Sequence, residues 1–220
     1  MDVLSIEFDK VYLVQKKRIS LGWTAAELSF LLGYRKDKVC DIENPLGSLR
    51  YDSTETNQLR RIFFNCKLSE IMSPKIAVRY FRLEIFTQKK PTTPEDTEDS
   101  KGGRKKREIC SFEIHILDKN LPPRHFLSFT QGKDDFKIDF REFVSPQIIS
   151  THIDELFNGS FFNVEKTAFE IFESCVKKHG RKVRPCHIMD VIGKYTGRRK
   201  APRLVKGKNE MRRQTYIKDK

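Results

Sequence analysis

Apolar side chains recur at helical spacing through residues 8 to 72, as Val11, Val14 and Leu21, then Leu28, Leu31 and Leu32, then Val39 and Ile42, then Leu59, Ile62 and Phe63. Gly22, Gly33 and Pro45 fall between these runs, where a helix must stop or a turn begin. The pattern predicts five short helices. Between residues 76 and 145 the period shortens to two. Tyr80, Arg82, Glu84 and Phe86 alternate with Phe81, Leu83 and Ile85, and Phe112, Ile114 and Ile116 alternate with Glu113 and His115, which predicts strands. Residues 89–107 are rich in Pro, Thr, Gly and charge and hold no apolar side chain to bury, so they are expected to be a mobile loop joining two antiparallel strands. HFLSF and FKIDFREF, separated by QGKDD, predict a second hairpin. From Ser145-Pro146 the helical period returns, with helices predicted to end near Phe157, to span Thr167 to Lys178, and to run from Pro185 to Tyr195. Two short β-prone runs around Lys206-Gly207-Lys208-Asn209 then predict a terminal hairpin. Helix, helix, hairpin is the order of a winged-helix module.

The expected fold is therefore α+β and multi-domain: an all-α domain over residues 1–75, a β-rich middle domain over 76–145, and a basic winged-helix-like domain over 146–220. Composition fits this, since 38% hydrophobic residues and 17 Phe argue against global disorder. No apolar run is long enough to cross a membrane and no leader pattern opens the chain, so a soluble, cytoplasmic protein with no membrane partner is expected. Five cysteines with no CxxC pair read as free thiols in a reducing compartment.

Charge changes the picture most. The chain carries a net +13, and residues 177 to 220 alone hold 16 Lys/Arg against three acids, so the whole excess lies in the last fifth of the sequence. A concentrated basic segment is the footprint of a polyanion partner. Arg198, Arg199, Lys200, Arg203, Lys206, Lys208, Arg212 and Arg213 are the candidate nucleic-acid contacts there. Tyr195, Leu204, Val205, Tyr216 and Ile217 are interleaved with them, which argues for a folded basic surface over a loose tail. Whether that surface meets DNA or RNA is left open.

In the stretch from Leu13 to Pro45, Gly33 supplies the positive φ that a tight corner between two helices needs, and Ser29 is the small residue four positions before it. Leu28, Leu32, Tyr34, Val39 and Ile42 take the inward positions, and Thr24 with Glu27 makes a capping box. With these residues the segment resembles the helix-turn-helix of the lambda-repressor/Cro (XRE-type) family of transcriptional regulators. The resemblance implies a structural ion pair between Arg18 and Glu43. It also implies a recognition helix over Tyr34 to Asp41 in the major groove, with Arg35, Lys36 and Lys38 on bases or phosphates and Thr24 and Asn44 as phosphate anchors. Its further implications are sequence-specific binding of double-stranded DNA in transcriptional control, and a homodimer. The sequence departs from the family at Ala25, where many members carry Gln, and at Asp37 and Asp41, which would face phosphates; residues 1–75 sum to only +2.

Catalysis is not expected. Cys175, His179, Cys186 and His187 lack the spacing of a zinc site, and Asp134, Asp135, Asp139 and Glu142 lack the lysine that accompanies a nuclease cluster. No Gly-rich phosphate loop or nucleophile elbow is present, so no metal and no cofactor is expected. Two other functions stay open: a protein-docking factor such as an antitoxin or accessory protein, whose helices do not read bases, and a nucleic-acid-processing enzyme. A protein partner could be met through the middle domain.

Overall fold

A computed structural model of the chain describes residues 2–72, 80–91, 108–118, 121–130 and 143–219. A short strand β1 (Asp2–Leu4) leads directly into α1 (Ser5–Ser20), followed by α2 (Ala25–Leu31), α3 (Lys38–Glu43), α4 (Ser53–Ile62) and a 3-10 turn at Leu68–Glu70. The capping boxes explain two of these starts: Thr24 and Glu27 exchange hydrogen bonds at α2, and Asp52 and Glu55 do so at α4. Leu28, Leu31, Leu32, Val39, Ile42, Leu59 and Ile62 are all buried, as their spacing requires.

The corner between α2 and α3 differs from the sequence reading. Gly33 has φ +75, and Tyr34 N–H closes back onto Ser29 O over 2.9 Å. The helix expected over Tyr34 to Asp41 begins only at Lys38. Ser29 sets that start: its hydroxyl donates to Ala25 O at 2.9 Å and accepts from Val39 N–H at 3.0 Å. Residues 34–37 are spent crossing between the two helices.

The strands β2 (Tyr80–Pro91), β3 (Glu108–Asp118) and β4 (Leu121–Thr130) join β1 in an antiparallel sheet of order β1-β2-β3-β4. Phe112 and Ile114 are its buried side chains among those described, and Ile114 meets Phe8, Val11, Tyr12 and Ile42 around a cavity of about 20 Å³. The sheet thus backs onto α1. β2 runs to Pro91, so the loop expected from residue 89 does not begin before 92. Residues 92–107 lie outside the described residues, as does most of FKIDFREF; HFLSF lies in β4 and pairs with β3.

The last part of the chain runs α5 (Pro146–Asn158), β5 (Lys166–Thr167), α6 (Ala168–His179), α7 (Pro185–Thr196), β6 (Arg203–Lys208) and β7 (Gln214–Asp219). Its three strands form an antiparallel sheet of order β5-β7-β6. The turn expected around Lys206 to Asn209 is displaced to residues 209–213. Gly207 lies inside β6 because Thr215 stands opposite: a Cβ at Gly207 would come within 2.8 Å of Thr215 Oγ1. The glycine marks a close approach of strands, not a bend.

The fold is mixed, with seven α-helices and two antiparallel sheets among the described residues. The expected boundaries at residues 75 and 146 do not separate two cores. One apolar cluster runs from Val14, Trp23 and Leu28 through Phe172, Ile188 and Tyr216. Trp23 stacks on Phe63 at 6.0 Å and meets Phe172 edge-on at 5.5 Å, so the first and last parts of the chain are buried against each other. No helix among the described residues is long and apolar enough to cross a membrane.

Two histidines make this packing sensitive to acid. Burial holds His152 and His187 below the ordinary imidazole range, with Lys178 reinforcing the effect on the first and Arg184 on the second. His152 also faces Glu155 on its own helix, and His179 and Ser174 on α6. The unfolded chain therefore binds more protons than the folded one once pH falls below about 6.5. Stability is full above that value and is lost progressively below it. Urea unfolding between pH 7.5 and 5.5 should show the decline, and His152→Gln should flatten it; a midpoint independent of pH in wild type would contradict this assignment.

Candidate nucleic-acid interface

The two sets of candidate contact residues, near the α2–α3 corner and in the basic C-terminal segment, meet in space. Gln214 N–H, at the start of β7, donates to Gly33 O over 2.8 Å, which ties the β6–β7 hairpin to the corner between α2 and α3. Between them opens a groove of about 700 Å³ lined by Gly33, Tyr34, Arg35, Lys38, Lys206, Gly207, Lys208, Arg212 and Gln214. Arg35 and Lys38 stand on one wall, and Lys206, Lys208 and Arg212 on the other.

Several interactions hold this geometry. Tyr34 is the pivot: Lys38 Nζ lies 5.6 Å from its ring centroid on the groove side, and the buried Arg213 guanidinium lies 5.9 Å away. Burial, with a hydrogen bond to Glu55, pushes the Tyr34 phenol up to about 12, so it stays neutral. Arg35 is paired with Asp41 of α3, so this groove cation carries a carboxylate beside it. At the hairpin turn, Asn209 Oδ1 accepts from Arg213 N–H at 3.0 Å and Asn209 N–H donates to Arg213 O at 3.0 Å.

A second set of contacts fixes the two halves beneath the groove. Glu27 Oε2 accepts from Thr24 N–H at 2.7 Å, Thr24 Oγ1 at 2.9 Å and Arg184 Nη2 at 3.0 Å, while Glu27 Oε1 accepts from Cys186 N–H at 3.0 Å. Arg184 also donates to Gly22 O over 3.1 Å. One buried carboxylate therefore caps α2 and holds the first turn of α7 together. Beside it, Arg18 grips Glu43 with two hydrogen bonds of 2.9 and 2.8 Å and donates to Trp23 O at 2.6 Å. Both ions are buried, so this pair locks α1 to α3 and presents no charge to a ligand.

The other sequence candidates are distributed differently. Lys36 is exposed, next in sequence to the groove residue Arg35. The Thr24 hydroxyl is committed to Glu27, and Asn44 Oδ1 accepts from Leu46 N–H at 3.0 Å. Neither lines the groove. Arg213 is 7% exposed and lies behind its wall. Arg203 is paired with Asp219 at 2.9 Å, and Arg198 lies 4.1 Å from the Tyr195 ring centroid. Arg203 sits at the open end of the hairpin, about 17 Å along β6 from Lys208, and Arg198, Arg199 and Lys200 precede that strand in the chain. Gly207 and Gln214 were invisible as site residues, because their roles depend on what the chain brings opposite them.

Burial holds the thiols of Cys175 and Cys186 up at about 12, so neither is a thiolate nucleophile. No group of three or more His, Cys, Asp or Glu among the described residues is placed to hold a metal ion. No family model, curated protein or solved structure matches this chain.

Proposed function

We propose that the protein binds double-stranded DNA through this groove and acts as a sequence-specific transcriptional regulator. The carrying observation is that five basic side chains from segments about 170 residues apart in sequence line one groove, pinned together by the Gly33–Gln214 hydrogen bond. In this reading α2 and α3 are a helix-turn-helix like that of the repressor/Cro family, with the recognition helix beginning at Lys38. The run α5-β5-α6-α7-β6-β7, with strand order β5-β7-β6, is a winged-helix arrangement whose hairpin is the wing. The N-terminus of α7 is occupied by Glu27, which favours the groove over α7 as the DNA-contacting surface. A single copy covers about half an operator, so two copies on a symmetric site are the expected stoichiometry.

Titration of the full chain against duplexes selected from a random pool, across a salt series, tests this. Each neutralised phosphate contributes about 0.9 to the slope of log affinity against log salt, so Lys206→Ala with Lys208→Ala should reduce the slope by about 2. An unchanged slope would remove the hairpin from the interface. If no duplex is retained above bulk DNA, the protein-docking function takes precedence, with the middle sheet, where Phe86 is 51% exposed, as its first candidate surface.

A further inference from the structure

Resting on the DNA-binding reading for its class of partner, we propose that the face where the end of α4 meets α6 is a second, sequence-independent site for a duplex backbone. One copy can then hold two duplex segments at once.

Four of the 16 Lys/Arg in residues 177–220 lie at the end of α6 and in the turn after it, away from the hairpin: Lys177, Lys178, Arg181 and Lys182, all exposed. The last turn of α4 adds Arg60 and Arg61, also exposed. Ring contacts set the arrangement. The Arg61 guanidinium lies 5.0 Å from the Phe169 ring centroid and 3.7 Å from Glu173, one helical turn before Lys177. The Arg181 guanidinium lies 5.1 Å from the ring centroid of Phe64, just past the end of α4. Cations in the last turn of a helix offset its own exposed carbonyls, which alone would explain Arg60 or Lys177. It does not explain Arg181, which lies beyond the end of α6 and over a ring from another segment. Among the described residues the acids paired with these cations are Glu173, beside Arg61, and Glu155, beside Lys178, so positive charge dominates the face.

This face does not continue the groove. Phe64 meets Trp23 at 6.0 Å, which places Arg181 near the start of α2, whereas Gly33 lies past its other end, about 10 Å along the helix axis. From Leu21 to Tyr34 the chain has no Lys or Arg and no exposed residue. No track of cations therefore runs along α2 to join the two surfaces, and the second one takes a separate length of polyanion. Its composition favours a phosphate backbone over an acidic protein. None of the exposed large apolar side chains lies on α4, α6 or residues 180–182, and a protein interface needs such anchors. Arginine can rest on a ring and still present its N–H fork to phosphate oxygens. Contacts of that kind carry no sequence information.

The test uses the full chain, a duplex selected from a random pool and held on a surface, and a second, fluorescent duplex of unrelated sequence. Wild type should capture the second duplex onto the first. Lys177→Ala with Arg181→Ala should cut that capture about tenfold and lower the slope of log affinity for bulk duplex against log salt by about 2, while keeping the preference for the selected duplex. Both side chains are exposed, so the variant should fold as wild type does. No capture by wild type would overturn the proposal, as would capture that survives in the variant, since the second duplex would then sit in another copy's groove. Retention of polyglutamate in place of the second duplex would overturn it in favour of an acidic protein segment. If no duplex is selected above bulk DNA, the sequence-specific reading fails by itself, and the bulk-duplex slope, reduced or unchanged in the variant, still decides this one.

Discussion

Glu27→Ala is expected to lower the unfolding free energy by about 3–5 kcal/mol, the range for removing one partner of a buried ion pair. The carboxylate accepts from four donors, and the side chains of Glu27 and Arg184 are 2% and 4% exposed. Deleting it leaves the Arg184 guanidinium without its buried counter-ion, frees the Cys186 N–H, and removes the carboxylate half of the α2 capping box, while Thr24 Oγ1 still accepts from the N–H of residue 27. Each loss lands on a surface where the first and last parts of the chain meet. Replacing both ions together, as Glu27→Leu with Arg184→Met, should recover much of the loss because no uncompensated charge remains. Urea denaturation of the single and double variants measures both effects. A loss below about 1 kcal/mol in Glu27→Ala would show that the pair behaves as an exposed one and does not hold the halves together.

Gly33→Ala should cut DNA affinity by at least about tenfold, the equivalent of about 1.4 kcal/mol, while leaving the protein folded. Two costs combine. The positive φ of +75 disfavours any L side chain by about 1–2 kcal/mol. The new methyl would also stand 3.0 Å from Arg213 Cβ and 3.3 Å from Gln214 N, so the hairpin must move away from the α2–α3 corner. That movement parts the two walls of the groove. Gly180→Ala separates the effects, because Gly180 has φ +79 with open space where its Cβ would go. Gly180→Ala should lose stability through the φ cost alone, Gly33→Ala should lose that and more, and only Gly33→Ala should lose affinity. Equal binding by the two would mean that the spacing of the walls does not matter.

How much of this was legible in the sequence depends on the distance over which each interaction acts. Thr24, Glu27, Ser29 and Gly33 could be read directly, because the cap and the corner are settled by residues three or four positions apart. The start of α3 could not, since it depends on Ser29 Oγ reaching Val39 N–H across the turn. A glycine between lysines reads as a turn, since nothing local to Gly207 signals the threonine that faces it. The partnership of Glu27 with Arg184 spans 157 residues and has no local signature, so a capping residue gave no hint of its second role. Charge counting located the basic segment but not its selection. Arg213 is turned inward and Arg203, paired with Asp219, lies outside the groove, while Arg35, itself paired with Asp41, and Lys38, from a nearly neutral segment, complete it.

The shared core also sets an order of events during synthesis. The Gly33 carbonyl waits for Gln214, 181 residues later in the chain, which at ordinary elongation rates is roughly ten to forty seconds. For that interval Trp23 and the inner face of α2 lack the aromatic and aliphatic partners supplied by α6 and α7. The nascent N-terminal helices are thus a natural client for a chaperone that shields apolar surface, and shortening the chain before α7 should send the product to aggregation or proteolysis.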